Sequence, residues 1–333
     1  MTPMTPMTPM TPHSSIDRIQ DFPIHWQNPS YLSPSGICSF MRCPRHFCWS
    51  RGFGLRPRSI EGLEDPFPNI ALVYGAAIHQ GMPFARKGLL EEAMTAFRET
   101  WKDYDQAQDP KRNQLCAGLI FHEVMEVHQL SQFGIDVIPP PKSYGNREDL
   151  SADEFLFAVD LGFSRLFAGK IDAVGRGPDQ GQDEPSIWAI EYKTASMMGS
   201  SFSSIWEGNP QVVGYSLALR IALGQCLGTV IEGIHVAKTL SDIVILPIYV
   251  SEEEQDTFRR QIGWIDQMIS HYAEEENFPR QITGCGSYGM FGVQGWGLCP
   301  YRFLCFPKGG DDWRTNEDLF EVSRHDLFQD WTD

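Results

Sequence analysis

Ile187-Trp188-Ala189-Ile190-Glu191-Tyr192-Lys193-Thr194 reads as a strand that is apolar through its first half and turns polar in its second. A period of two puts Glu191 and Lys193 on one face, with Trp188, Ile190 and Tyr192 on the other. A carboxylate and an ammonium therefore stand side by side. Upstream, Ser164 to Val174 reads as a second strand, with Gly169-Lys170-Ile171-Asp172 towards its end. If the two strands are neighbours, Asp172 falls near Glu191. Two carboxylates in one place repel unless a cation lies between them, and hard oxygen donors with open positions suit Mg²⁺ or Mn²⁺. Such an ion can activate water and offset charge building on a phosphate, while a nearby lysine orients the water or stabilises the pentavalent state.

The pattern around this pair is that of an α/β chain. Residues 37 to 55 predict a short helix followed by a loop; Gly75 to Lys87, Leu89 to about Gln106 and Gln114 to Phe133 predict helices, and Pro139-Pro140-Pro141 ends that block. Phe155 to Phe163 predicts another strand, and a Gly/Asp/Gln turn region runs from Gly175 to Glu184. A helix is expected over Pro210 to Leu223, then strands over Val230 to Val236 and Ile243 to Val250. Ser251 with Glu254 makes a capping box for a helix carrying Phe258, Ile262, Ile265, Ile269 and Tyr272 on one face. The order of elements predicts an α/β sandwich around a mixed sheet.

Composition bounds the rest. With 333 residues and 42% hydrophobic content, the chain can bury a substantial core. Met1 to Pro12 repeats Met-Thr-Pro four times, and proline at every third position predicts a disordered tail. No apolar run reaches the roughly 18 residues of a spanning helix and no basic segment leads into a hydrophobic one, so a cytoplasmic protein without a membrane partner is expected. Eight cysteines in a chain of this size point to metal ligation plus buried thiols, Cys116 and Cys226 being the buried ones. The net charge of -16 argues against nonspecific wrapping of nucleic acid. Yet Tyr31 to Ile60 contains no acidic residue, and Arg42, Arg45, Arg51, Arg56 and Arg58 alternate with Phe40, Phe47, Trp49 and Phe53. That alternation suits a single strand with stackable bases, or an ordinary basic surface beside a cluster.

Taken in order, these segments resemble the RecB-like branch of the PD-(D/E)XK nuclease superfamily. His79, in Gly75-Ala76-Ala77-Ile78-His79, matches that branch's helix histidine, Asp172 its motif aspartate, and Glu191 with Lys193 its Glu-x-Lys. Gln211 and Tyr215 match its Gln-x-x-x-Tyr helix, where i, i+4 spacing puts both on one face. Cys43-Pro44-Arg45 resembles the opening of the iron-sulfur members, of the AddB type and the CRISPR-adaptation type, and Cys299 with Cys305 resembles their closing pair. Trp296 stands where those members often have a further cysteine, so Cys285 is assigned as the fourth ligand; Cys38 and Cys48 flank Cys43 at equal spacing, and either could take its place. Four such thiolates fit a 4Fe-4S cluster, with tetrahedral Zn²⁺ as the alternative.

The resemblance implies a restriction-endonuclease-like α/β core, a central mixed sheet flanked by helices, with a helical insertion at about 89–150 and a C-terminal cysteine cluster. It implies a tail and linker over 1–29, a nuclease domain with a terminal iron-sulfur clasp over 30–310, and an acidic tail over 311–333. The implied activity is a metal-dependent DNA nuclease, an exonuclease on single-stranded DNA or DNA ends in recombination, repair or phage DNA metabolism. His79, Asp172 and Glu191 would hold Mg²⁺ or Mn²⁺, Lys193 would position water, and Gln211 and Tyr215 would complete the catalytic set. Arg42, Arg45 and Arg51 are candidate DNA contacts, and the acidic balance suggests a helicase or recombination protein as partner. The alternative is a non-catalytic nucleic-acid-binding iron-sulfur or zinc module, against which the intact acids and lysine speak.

Overall fold

The structure is a computed structural model and describes residues 27–57, 70–104, 109–127, 129–139, 153–178, 185–196, 198–238, 242–281, 299–305 and 320–323. Along the chain these form β1 (Tyr31–Leu32), α1 (Pro34–Arg42), α2 (Pro44–Phe47), a π-helical turn (Cys48–Gly52), β2 (Leu55–Pro57), α3 (Ile70–Arg86) and α4 (Leu90–Trp101). Next come a 3₁₀ turn (Lys102–Tyr104), α5 (Gln114–Val127), α6 (Gln129–Gln132), β3 (Asp136–Ile138), β4 (Phe155–Val159), β5 (Leu166–Ile171), β6 (Ala173–Gly177) and β7 (Ser186–Ala195). The last are α7 (Ser200–Ser204), α8 (Pro210–Leu223), β8 (Gly228–His235), β9 (Asp242–Tyr249), α9 (Glu252–Glu274), α10 (Arg302–Cys305) and β10 (Phe320–Val322). The Met-Thr-Pro repeat, Cys285, Trp296 and most of the acidic tail lie outside the described residues.

The chain divides into two compact units, and the larger comprises residues 30–38, 58–266 and 326–333. Its main sheet has five strands in the order β3-β6-β7-β8-β9, and a second has three in the order β1-β5-β4. β7 runs antiparallel to β6 and parallel to β8, and β8 runs antiparallel to β9, so the sheet is mixed as expected. A parallel pair needs a crossover, and α8 supplies it. That helix starts where Asn209 Oδ1 accepts the Gln211 N–H at 2.9 Å with Pro210 in the first turn, and it stops at Gly224 in a left-handed conformation, φ 82°. One core layer packs Tyr74, Ile78, Phe97, Trp101 and Phe121 of α3, α4 and α5 with Trp188, Ile190 and Tyr192 of β7, all buried. Burying each such side chain contributes about 1.5–3 kcal/mol.

Three expectations change. The strand predicted over Ser164 to Val174 is two strands, β5 and β6, which break at Asp172 and belong to different sheets. A short strand, β3, precedes the proline run and pairs with β6, placing an edge strand where only the end of a helical block was expected. The stretch from 37 to 55 holds α2 and a π-helical turn in place of a loop. The capping box forms as read: the Ser251 N–H donates to Glu254 Oε2 at 2.8 Å, and the Glu254 N–H donates to Ser251 Oγ at 3.2 Å.

The smaller unit comprises residues 1–29, 39–57 and 267–325. β2 and β10 pair antiparallel in it, and Tyr301 stacks on Phe320 with centroids 5.8 Å apart while its hydroxyl donates to the Leu55 carbonyl at 2.7 Å. Phe40, Phe47, Trp49 and Phe53 are all buried, which removes them as stacking surfaces for bases. Arg45 is buried as well, its Nε donating to the Phe278 carbonyl and its Nη2 reaching Asn277 Oδ1 at 3.4 Å. The basic-aromatic alternation is thus core packing plus the arginines at its rim. No helix among the described residues is long and apolar enough to cross a membrane.

Candidate active site

Asp172 occupies the bend between β5 and β6, and the register Ala173↔Ile190 sets it beside β7. Its Oδ2 accepts the backbone N–H of Tyr192 at 2.8 Å, which fixes the carboxylate to the strand that carries Glu191. Asp172 is 7% exposed and Glu191 4%. Burial first, and Asp172 second, push the Glu191 carboxyl up to about 8 against the pull of Lys193.

Glu191 Oε1 accepts from Lys193 Nζ and from Gln211 Nε2, the latter at 2.6 Å, and Gln211 Nε2 also donates to Tyr215 Oη at 2.8 Å. Gln211 therefore grips the acid from α8, and Tyr215, one turn on, anchors the Gln211 amide. Burial raises the Tyr215 phenol well above its ordinary range, so it stays neutral. The other Glu191 oxygen, Oε2, is buried with no hydrogen-bond partner among the described residues.

His79 comes from α3, its Nδ1 3.7 Å from Asp172 Oδ1 and its ring edge-on to Tyr192 at 5.6 Å. Burial lowers its pKa despite Asp172, which favours the neutral ring a metal ligand needs. Four residues on, Pro83 lies inside the same helix and has no N–H to return to the His79 carbonyl. Helix and strand approach closely here: a Cβ at Gly75 would come within 2.9 Å of Thr194 Oγ1.

The six residues expected to form the site therefore come together around Glu191. A buried carboxylate pair with an orphaned oxygen and a neutral imidazole alongside is a donor set that fits a hard divalent cation. Among the described residues no three His, Cys, Asp or Glu side chains already converge as a metal-holding group. A family model, the PD-(D/E)XK nuclease superfamily, matches residues 31–306. The chain belongs to that superfamily. Among solved structures, this chain is similar to a protein from Eubacterium rectale whose exonuclease assignment is provisional, at 13% identity and TM-score 0.42, covering 76% of this chain and 85% of that one. It is also similar to the protein SSO0001, at 11% identity and TM-score 0.25, covering 79% of this chain and 84% of that one. No curated protein matches it.

The remaining residues expected to form sites fall in the smaller unit. Cys43 and Cys299 are buried, Cys305 is half-buried, and Cys43 Sγ accepts the Gln281 N–H at 3.4 Å. Cys48 is buried and feels both Cys43 and Cys305 electrostatically, whereas burial accounts for most of the upward push on its thiol. Arg42 and Arg51 are half-buried, and Arg45 is turned inward as described. Three groups near the site escaped sequence reasoning. Trp206 lies over Lys193, and an Arg86–Glu232 ion pair is buried beneath Tyr192. Lys170, of the Gly-Lys-Ile-Asp stretch, reaches Glu154 at 2.6 Å. None of these pairings has a spacing signature, because each joins different elements.

Proposed function

We propose that this nuclease is a Mg²⁺- or Mn²⁺-dependent deoxyribonuclease that works as an exonuclease on single-stranded DNA or DNA ends, in recombination, repair or phage DNA metabolism. The observation that carries the proposal is the orphaned Glu191 Oε2 in a buried pair of acids with an ammonium beside it. Asp172, Glu191 and His79 would hold the cation, which when bound supplies charge on the scissile phosphate and acidifies water. Tyr192 holds Asp172 in place through its backbone N–H, Gln211 holds Glu191, and Tyr215 holds the Gln211 amide. Lys193 keeps its Nζ at the mouth of the acid pair, where it can orient an incoming water and stabilise charge developing on the phosphate. Arg42 and Arg51 are left as backbone contacts. The decisive experiment is anaerobically purified protein with end-labelled single- and double-stranded DNA, with Mg²⁺, Mn²⁺ or EDTA. Absence of metal-dependent cleavage on both substrates overturns this reading.

Lys193→Ala is expected to bind Mn²⁺ as the parent does and to lose about 100-fold or more in kcat. Normal turnover with weakened metal affinity, seen by calorimetry and single-turnover kinetics, would assign the lysine to binding instead.

We also assign Cys43, Cys285, Cys299 and Cys305 to a 4Fe-4S cluster, with Zn²⁺ as the competing occupant. Binding energy at ligands scattered along the unfolded chain is folding energy. Cys299→Ser and Cys305→Ser should therefore bleach the protein and lower its melting temperature, and Cys116→Ser and Cys226→Ser should leave the colour unchanged. The neighbourhood of Cys48 makes Cys285 the informative variant: full iron after Cys285→Ser would move the fourth place to Cys48 or Cys38.

A further inference from the structure

Lys193 has a second neighbour besides Glu191. Its Nζ lies 5.5 Å from the centroid of the Trp206 ring, within the range of a cation–π contact. Trp206 is 8% exposed, too buried to stack a base, and its indole N–H has no acceptor among the described residues. A buried indole whose polar atom is unsatisfied is placed by something other than that atom.

What places it is visible one strand over. Gly233 on β8 is the register partner of Lys193 on β7, so the two share a face of the sheet. Above Gly233 sit Phe202 and Met198: a Cβ there would come within 2.8 Å of the Phe202 ring and 2.2 Å of Met198 Cε. Phe202 in turn packs edge-on against Trp206, with centroids 5.9 Å apart. The missing side chain at 233 leaves the room in which Phe202 braces Trp206, and Trp206 covers the lysine.

We propose that Trp206, braced by Phe202 over Gly233, is the positioning residue for Lys193, holding its ammonium against Glu191. The inference rests on the nuclease reading for its catalytic consequence but not for the contact itself. A lysine has four rotatable bonds, and with 25% of this side chain exposed the ammonium would otherwise sample solvent. The ring face confines it without competing for the proton that Glu191 accepts.

The test has two arms. In wild-type protein labelled on lysine, the ε-methylene resonance of Lys193, assigned by its loss in Lys193→Ala, should be shifted upfield by the indole ring current and return to the ordinary lysine position in Trp206→Leu. In cleavage assays at saturating Mn²⁺, Trp206→Leu should lower kcat about tenfold with KM for DNA within about twofold, and Trp206→Phe should stay within about threefold of wild type. Gly233→Ala, which displaces the brace and leaves Trp206 intact, should lower kcat in the same direction. An unshifted Lys193 resonance in the wild type overturns the proposal, as does an unchanged kcat in Trp206→Leu or a loss confined to KM. Should Trp206→Leu not fold, the wild-type resonance and Gly233→Ala decide. An inactive wild type sinks the nuclease reading alone, and the ring-current shift still decides whether Trp206 holds the lysine.

Discussion

Glu191→Gln is expected to reduce cleavage by about 1,000-fold at saturating Mn²⁺ and to leave the fold intact. The substitution keeps the shape and the contact with Gln211 but removes the charge with which the acid pair would hold a cation. Its second effect has the opposite sign. Burial and Asp172 raise the folded-state pKa of Glu191 to about 8, above the ordinary carboxylate value of about 4.3. The folded chain therefore holds this proton more tightly than the unfolded chain. The resulting stability is fully present below about pH 4.3 and is lost as pH rises through about 8. In EDTA, wild-type melting temperature should fall between pH 5 and pH 8, and Glu191→Gln should flatten that slope and melt higher at pH 8. Asp172→Asn should share the loss of cleavage. Undiminished cutting by either variant, or a parallel pH dependence of melting in wild type and Glu191→Gln, contradicts the assignment.

The second large effect lies under the site. Arg86 and Glu232 form an ion pair with side chains 13% and 4% exposed, and the guanidinium lies 5.0 Å from the Tyr192 ring. Burial works against both charges. It raises the pKa of Glu232 even with Arg86 beside it, whereas for Arg86 the attraction of Glu232 and Tyr192 overcomes burial and keeps it charged. Glu232→Ala leaves that cation buried and uncompensated, at a cost of about 3–5 kcal/mol. Melting temperature should drop by roughly 10 °C. The double variant Arg86→Met with Glu232→Leu should recover most of the loss, because a buried pair and an apolar replacement of similar size are nearly equivalent. A double variant as unstable as the single one would show that the cost comes from packing rather than from charge.

Much of this was legible in the chain because the relevant signals are local. Pro210 to Leu223 carries its own cap, proline and terminal glycine, and the helix found has those bounds. Glu191, Lys193, Gln211 and Tyr215 announce themselves by strand and helix periods that hold whatever packs around them. The break at Asp172 was not legible: the apolar run continues across it, and the change of sheet depends on partners far away in sequence. Arg45 and the aromatics of residues 40–53 were not legible as core for a related reason. Composition says that a segment can meet nucleic acid, but Arg45 and Phe40 pack against residues more than 200 positions later, Phe278 and Tyr272. Trp206 was invisible because nothing in its neighbourhood repeats.

The bend at Asp172 also bears on the order in which the site assembles. Glu191 follows Asp172 by only 19 positions, and β6 and β7 pair as neighbours in an antiparallel hairpin. Contacts of short sequence separation close early, since less chain entropy must be surrendered before they form. His79, 93 positions before Asp172, arrives from much farther away. The two acids are therefore expected to meet in a nascent hairpin before the helices that enclose them, where their repulsion would oppose the nucleus. A divalent cation, or mild acid, present during refolding relieves that repulsion at the step where it matters, so it should quicken folding and not merely slow unfolding.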